Sequence, residues 1–192
     1  QMGGHFSTRL IDEDGKWLNL TEQKNSTSDI SPTAGQMPRL VGLGLASKVY
    51  RNNKELSHLT NFSKNGDEIA FGTIGDASTS EGVFWESINA ACVLEIPVVM
   101  SIWDDGYGIS VPKKYQTTKE SISEALAGFE LDDKTNGLKI FRCNGWDYQD
   151  LYSTYKSATE FTRKHHKPSL IHVEEITQPQ GHSTSGSHER YK

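Results

Sequence analysis

Residues 75–110 read GDASTSEGVFWESINAACVLEIPVVMSIWDDGYGIS, and this stretch decides the fold. It runs from the close of a strand through an acidic turn, a helix, a second strand and a second acidic turn. Residues 81–94 bring Phe84, Ile88 and Ala91 to one helical face. Residues 96–102 are a continuous apolar run, the pattern of a strand covered on both faces. One strand–helix–strand crossover separates the turns, so parallel strands deliver Asp76 and Asp105 to the same sheet edge. Two carboxylates beside loop backbone suit a hard cation, which takes oxygen ligands. The first turn is expected to open the helix directly, with Ser78, Thr79 or Ser80 as its cap and free N–H groups that favour phosphate. Taken alone, each turn reads as a capped helix start or a common Asp-Gly turn. Their joint placement points to a divalent metal bridging the protein to a diphosphate.

Working outward, residues 68–74, 138–143 and 168–176 read as further strands. Residues 36–52 carry Leu40, Leu43, Ala46 and Tyr50 at helical spacing. Residues 147–165 form a helix expected to turn Leu151, Tyr155, Ala158 and Phe161 inward, and 121–127 a short one. Residues 10–34 and the end from Gln178 read as loop. This alternation predicts a parallel, doubly wound α/β sheet with helices on both faces and ligands beyond the carboxyl ends of its strands. The segments there are GDAS, DDGYGIS, CNGWD and TQPQGHS. There is no internal repeat, and residues 1–192 read as one domain.

The net charge of −5 argues against a nucleic-acid or anionic-membrane surface. No stretch approaches the length of a membrane span and no signal peptide is visible. Cys92 and Cys143 lack metal-type or redox-type spacing and read as buried thiols, which fits a cytoplasmic location. A hydrophobic content of 34% and a mean hydropathy of −0.60 are low for a self-sufficient α/β domain. With a start at Gln1, they lead to the expectation of a fragment of a longer chain.

The span 75–110 resembles the diphosphate-binding motif of thiamine-diphosphate enzymes, a Gly-Asp-Gly turn followed by an Asn-Asn turn. The whole chain is most similar to the alpha-type part of the decarboxylating first component of 2-oxo acid dehydrogenase complexes. Gln1-Met2-Gly3-Gly4-His5-Phe6 resembles the family's Gln-Met…His-aromatic segment. Ser31-Pro32…Gln36-Met37-Pro38 resembles its Ser-Pro…Gln-Leu/Ile-Pro segment. Glu81-Gly82, Glu86 and Asn89 match its Glu-Gly…Glu…Asn helix, and Gly181-His182-Ser183 its Gly-His-Ser loop. The ending GHSTSGSHERYK resembles chains in which alpha-type and beta-type parts are fused.

The resemblance implies a thiamine-diphosphate-binding fold in which the side chains of Asp76 and Asp105 and the backbone carbonyl of Tyr107 hold magnesium. Gly75, Ala77, Ser78 and Ile109 would line the diphosphate and thiazolium of thiamine diphosphate, with Ser31 and Thr33 near its middle. His182 would be catalytic, beside the reacting carbon; without the family it reads as a solvated histidine in a Gly/Ser loop. The implied reaction is decarboxylation of a small 2-oxo acid, branched-chain favoured and pyruvate possible, with acyl transfer to a lipoyl domain of the acyltransferase core. The implied partner is the beta-type part, in a two-fold symmetric oligomer, because the Glu that activates the cofactor belongs to that part. Open alternatives are a transketolase-like or acetoin dehydrogenase enzyme, a magnesium-dependent phosphate-binding domain, and a non-catalytic assembly module.

Five positions depart from the family pattern. Asp105 replaces the second Asn and adds a negative charge facing the diphosphate; Trp103 stands where Arg is common. Ala77 replaces the second Gly, and Thr177-Gln178 the Tyr-Arg ahead of the Gly-His-Ser loop. Gly42-Leu43-Gly44 lies within a helix and is no dinucleotide fingerprint. The basic run Arg163-Lys164-His165-His166-Lys167 reads as cations closing a helix. Ser183 and Ser185 stand where mammalian relatives carry regulatory phosphoserines, and read as loop polarity.

Overall fold

The structure, a computed structural model, describes residues 7–28, 30–179, 181–182 and 187–190. The segment 1–6, Ser183 and Ser185 lie outside the described residues. Helix α1 spans Gln36–Asn52, strand β1 Ala70–Gly75, helix α2 Gly82–Leu94 and strand β2 Val98–Trp103. A two-residue hairpin follows, β3 (Tyr107–Gly108) and β4 (Val111–Pro112), then the single turn α3 (Ile122–Ala125). Strand β5 (Lys139–Asn144), helix α4 (Tyr148–His165) and strand β6 (Ser169–Glu174) complete the order. Four strands form one parallel sheet in the order β1-β2-β6-β5. The parallel α/β architecture expected from the alternation is therefore present, with all four carboxyl ends on one edge.

The side-chain period of two sorts the strands into two apolar layers. Ile74, Val98, Met100, Ile102 and Leu170 meet Met37 and Leu40 of α1 and Phe84, Ile88 and Ala91 of α2. On the opposite face Val99, Cys143, Ile171 and Val173 meet Ala158 of α4, with Leu151 and Tyr155 packed alongside. Strand β2 contributes to both layers, which is why its sequence is apolar at successive positions. Fully burying a side chain such as Met100 or Ile102 stabilises by about 1.5–3 kcal/mol.

Helix α1 presents a different face from the one expected. Met37, Leu40, Gly44 and Ser47 point inward, while Leu43 is 46% exposed and Ala46 is exposed. Two contacts set this rotation. At Gly44 the helix presses on β2 so closely that a Cβ would fall 2.5 Å from Val98 Cγ2. The Ser47 hydroxyl lies 3.0 and 2.6 Å from the carbonyl oxygens of Gly66 and Glu68. A small residue and a satisfied hydroxyl are thus inside, where hydrophobic periodicity favoured leucine.

Helix α4 follows its sequence signals more closely. Asp147 caps it by accepting from Gln149 N and Asp150 N, at 2.9 and 3.1 Å. Arg163, Lys164 and His165 occupy its last turn, and His166 ends it in a left-handed conformation. Cys92 and Cys143 are buried free thiols, and burial pushes both up to about 11. Among the described residues no helix is long and apolar enough to cross a membrane.

Candidate functional site at the sheet edge

The register of β1 on β2 pairs Ile74 with Ile102 and Gly75 with Trp103. The next pair along is therefore Asp76 with Asp104, and Asp76 N donates to Trp103 O at 3.1 Å. Strand alternation turns both carboxylates toward the face that buries Ile74 and Ile102. Asp105 lies one residue further into the turn, where its Oδ1 accepts from Tyr107 N at 3.1 Å. Hairpin β3–β4 folds this second turn back over the first. A Cβ on Gly108 would stand 2.8 Å from Ala77 Cβ, so the absence of a side chain permits the approach. Tyr107 pairs with Pro112 across the hairpin.

The first turn corrects one expectation. Residues Ala77–Ser80 form a 3-10 turn, and α2 begins only at Gly82 with Glu81 in the cap position. None of Ser78, Thr79 and Ser80 caps α2; the Thr79 hydroxyl instead donates to Asp76 O at 2.5 Å. An anion at this turn would meet the amides of a short turn rather than the end of a long helix dipole.

Two neighbouring buried carboxylates have opposite electrostatic fates. Asp76 is pushed up to about 7, first by burial and then by the negative charges of Asp104 and Asp105. Among the described residues it has no ion-pair partner. Burial acts on Asp104 in the same direction, but hydrogen bonds from His172 and Lys113 more than offset it and bring it to about 2. Asp104 Oδ2 accepts from Lys113 Nζ at 2.8 Å and from His172 Nε2 at 3.1 Å, and Oδ1 from Gly106 N at 2.8 Å. The acidic edge therefore has one carboxylate paired with Lys113 and hydrogen-bonded by His172, and one that, among the described residues, lacks a counter-charge.

This donor set fits a small hard cation. Among the described residues no group of three or more His, Cys, Asp or Glu side chains is arranged to hold a metal. Side chains would supply the two carboxylates of Asp76 and Asp105, with backbone oxygen and ligand oxygens completing the shell. Magnesium is commonly held in that way, by one or two carboxylates together with phosphate.

Of the residues singled out from the sequence, Gly75, Asp76, Ala77, Ser78, Asp105, Tyr107 and Ile109 come together on these adjoining turns. Ile109 is 60% exposed with φ +59°, a conformation costly for a β-branched side chain and one that collects at functional sites. Ser31 and Thr33 are exposed in the turn before α1. That turn is tethered to β1 by Gln36, whose Nε2 donates to Thr73 O at 2.9 Å. His182 is exposed beyond β6 and, among the described residues, makes no hydrogen bond to either acidic turn. Trp103 leaves this face: its Nε1 lies 3.1 Å from Ser101 Oγ and 3.2 Å from the Tyr155 hydroxyl, on the α4 side.

Sequence reasoning missed Asp104, Lys113, His172 and Ser123. Asp104 had a signal, since strand alternation from Ile102 turns it inward. The other three had none, because only tertiary folding brings Lys113 and His172 to Asp104 and Ser123 to His172, its Oγ 2.8 Å from Nδ1. A polar cavity of about 390 Å³ opens at the carboxyl ends of β5 and β6, lined by residues that include Lys113, Asn144 and Glu174. None of the cofactor or metal candidates lines it.

Residues 11–192 match the family described as dehydrogenase E1 component. The chain is 30% identical over 172 residues to the 2-oxoisovalerate dehydrogenase subunit alpha of Bacillus subtilis, covering 89% of this chain and 42% of that protein. It is 30% identical over 145 residues to the pyruvate dehydrogenase E1 component subunit alpha of Acholeplasma laidlawii, covering 75% and 35%. It thus spans less than half the length of these relatives. Transketolase from Leishmania mexicana superimposes with a TM-score of 0.55 at 20% identity, over 77% of this chain and 20% of that one, a likeness of fold.

Proposed function

This chain belongs to the dehydrogenase E1 component family, and we propose that it carries the diphosphate half of a thiamine-diphosphate site in a 2-oxo acid dehydrogenase. One observation supports this reading above the others. Two acidic turns adjoin on paired parallel strands, and among the described residues the buried Asp76 has no ion-pair partner. In this reading Asp76 and Asp105, with the Tyr107 carbonyl, hold magnesium. Gly75, Ala77 and Ser78 leave backbone room for the diphosphate. Ile109, Ser31 and Thr33 border the rest of the cofactor.

Bound thiamine diphosphate would supply the electron sink that lets a 2-oxo acid lose carbon dioxide. The protein's contribution is placement and charge. Asp76 and Asp105 neutralise the cation that screens the diphosphate. Ile109 presents an apolar side chain to the cofactor, and the His182 imidazole donates or accepts a proton beside the reacting carbon. A lipoyl domain would be the acceptor of the acyl unit. The relatives' names, 2-oxoisovalerate and pyruvate dehydrogenase, favour a small 2-oxo acid, with branched-chain acids first.

The half-site is open. Ile109, Val111 and Tyr115 are 60%, 42% and 73% exposed, an apolar rim that suits coverage by a beta-type part on the same or a separate chain. The 192-residue chain alone should therefore show no turnover. Calorimetry with the beta-type part present separates the readings. Thiamine diphosphate should bind only with magnesium, and more tightly than ATP under the same conditions. Equal binding of ATP would favour a general phosphate-binding domain. No binding of thiamine diphosphate would favour an assembly module without cofactor. Asp76→Ala should weaken magnesium and cofactor together; loss of one alone contradicts a bridging ion.

A further inference from the structure

We propose that His172 is a positioning residue for the cation-holding turn, acting through the carboxylate of Asp104. The inference rests on reading Asp76, Asp105 and Tyr107 as the holders of a divalent cation. His172 lies on β6 with no exposed surface, on the same strand face as the fully buried Leu170. A polar ring in an apolar layer is costly unless its nitrogens are satisfied. Both are: Nδ1 lies 2.8 Å from Ser123 Oγ and Nε2 3.1 Å from Asp104 Oδ2. The remaining neighbour, Glu174 Oε1, is 3.7 Å from Nδ1, beyond hydrogen-bond range. An ionised carboxylate only accepts, so Nε2 carries the proton toward Asp104 and Nδ1 accepts from the Ser123 hydroxyl. Ser123 thereby sets the tautomer that Asp104 requires.

Asp104 is the point where this chain of bonds meets the turn. Its backbone N–H donates to Val173 O at 2.9 Å, and its carbonyl accepts from Ile176 N at 3.0 Å. Those bonds place the residue but leave its side chain free to rotate. The rotamer matters because Oδ1 holds Gly106 N, midway between Asp105 and Tyr107. Of the two partners on Oδ2, Lys113 is one-third exposed on a long flexible stem, whereas His172 is enclosed on a rigid strand. The imidazole therefore fixes the carboxylate, and the carboxylate fixes the turn that presents Asp105 and the Tyr107 carbonyl.

Two substitutions separate this role from plain core filling. His172→Gln places an amide nitrogen near the Nε2 position, so it keeps donation to Asp104 and gives up Ser123. His172→Asn reaches only the Nδ1 position and gives up Asp104. Binding of Mn²⁺ with thiamine diphosphate, read by electron paramagnetic resonance on the chain assembled with its beta-type part, should change less than about twofold in His172→Gln. It should weaken by about tenfold or more in His172→Asn, the usual scale for losing the group that orients a metal ligand. Without any metal, the Gly106 amide should exchange with solvent about tenfold faster in His172→Asn than in His172→Gln. Equal behaviour of the two variants in both measurements would overturn the inference. If the wild-type protein binds no Mn²⁺, the cation reading fails, while Gly106 exchange still tests the positioning. Should His172→Asn not fold, Ser123→Ala carries the test: it should speed Gly106 exchange about threefold, and an unchanged rate refutes the role.

Discussion

Replacing Asp104 by Asn tests the electrostatics of the site most directly, because it keeps the side chain's shape and removes its charge. Asp104 is 2% exposed and accepts from Lys113 and His172 at 2.8 and 3.1 Å. Charge-assisted hydrogen bonds of this kind contribute about 1.5–3 kcal/mol each. Lys113 can swing into solvent after the substitution, but His172 cannot, so roughly one such bond is lost without compensation. The same contacts hold the carboxyl down from 3.8 to about 2, which at 1.36 kcal/mol per unit is about 2–3 kcal/mol. The expected loss at pH 7 is therefore about 2–3 kcal/mol, a midpoint about 1 M lower in urea. Unfolding should be followed by circular dichroism in EDTA, so that no metal contributes. The sign with pH is also set. A depressed carboxylate stabilises above its unfolded value and loses that contribution as pH falls toward about 2. The gap between wild type and Asp104→Asn should thus widen somewhat from pH 7 to about 5, as wild-type Asp76 beside Asp104 takes up a proton, and narrow below about pH 4. A difference under about 0.5 kcal/mol at pH 7, or one that does not narrow in acid, would refute the reasoning.

Further outcomes follow from the same geometry. Asp76→Asn should raise the thermal midpoint in EDTA, because it removes a buried negative charge beside Asp104 and Asp105, yet abolish any stabilisation by magnesium. With Asp76 raised to about 7, protons should compete with the metal, so magnesium affinity should fall by up to about tenfold per pH unit below 7; a flat titration contradicts a carboxylate ligand there. The same raised group makes the metal-free protein less stable as pH climbs from about 4 to 7, visible as a falling midpoint in EDTA. Gly44→Ala should destabilise by about 1–2 kcal/mol, because overpacking against Val98 outweighs the helix propensity gained; urea unfolding checks the sign. In the complete assembly, His182→Gln should leave cofactor affinity within about twofold and lower the rate of decarboxylation or acyl transfer by about 10²-fold or more.

The sequence alone determined the parallel α/β sheet, the helices on both faces and the meeting of two acidic turns at one edge. These rest on local signals: period, apolar runs and turn residues, which chain neighbours carry without help. Asp76 and Asp105 were legible for the same reason, since a single crossover between parallel strands leaves their turns no other edge to occupy. Even so, local pattern misjudged the inward face of α1, where close contact at Gly44 outranked the burial of Leu43. It also placed the cap of α2 on Ser78, Thr79 or Ser80, where a separate 3-10 turn stands and Glu81 takes the cap position.

Only the tertiary structure decided which acid is neutralised. Lys113, Ser123 and His172 come from three different segments, and no spacing in the chain announces that Lys113 and His172 meet Asp104 while Ser123 holds the far nitrogen of His172. That convergence gives Asp104 a lysine and an imidazole N–H and, among the described residues, leaves Asp76 without an ion-pair partner. The reason is physical: charge in a buried site depends on distances through space, and distance through space is what a linear sequence does not contain.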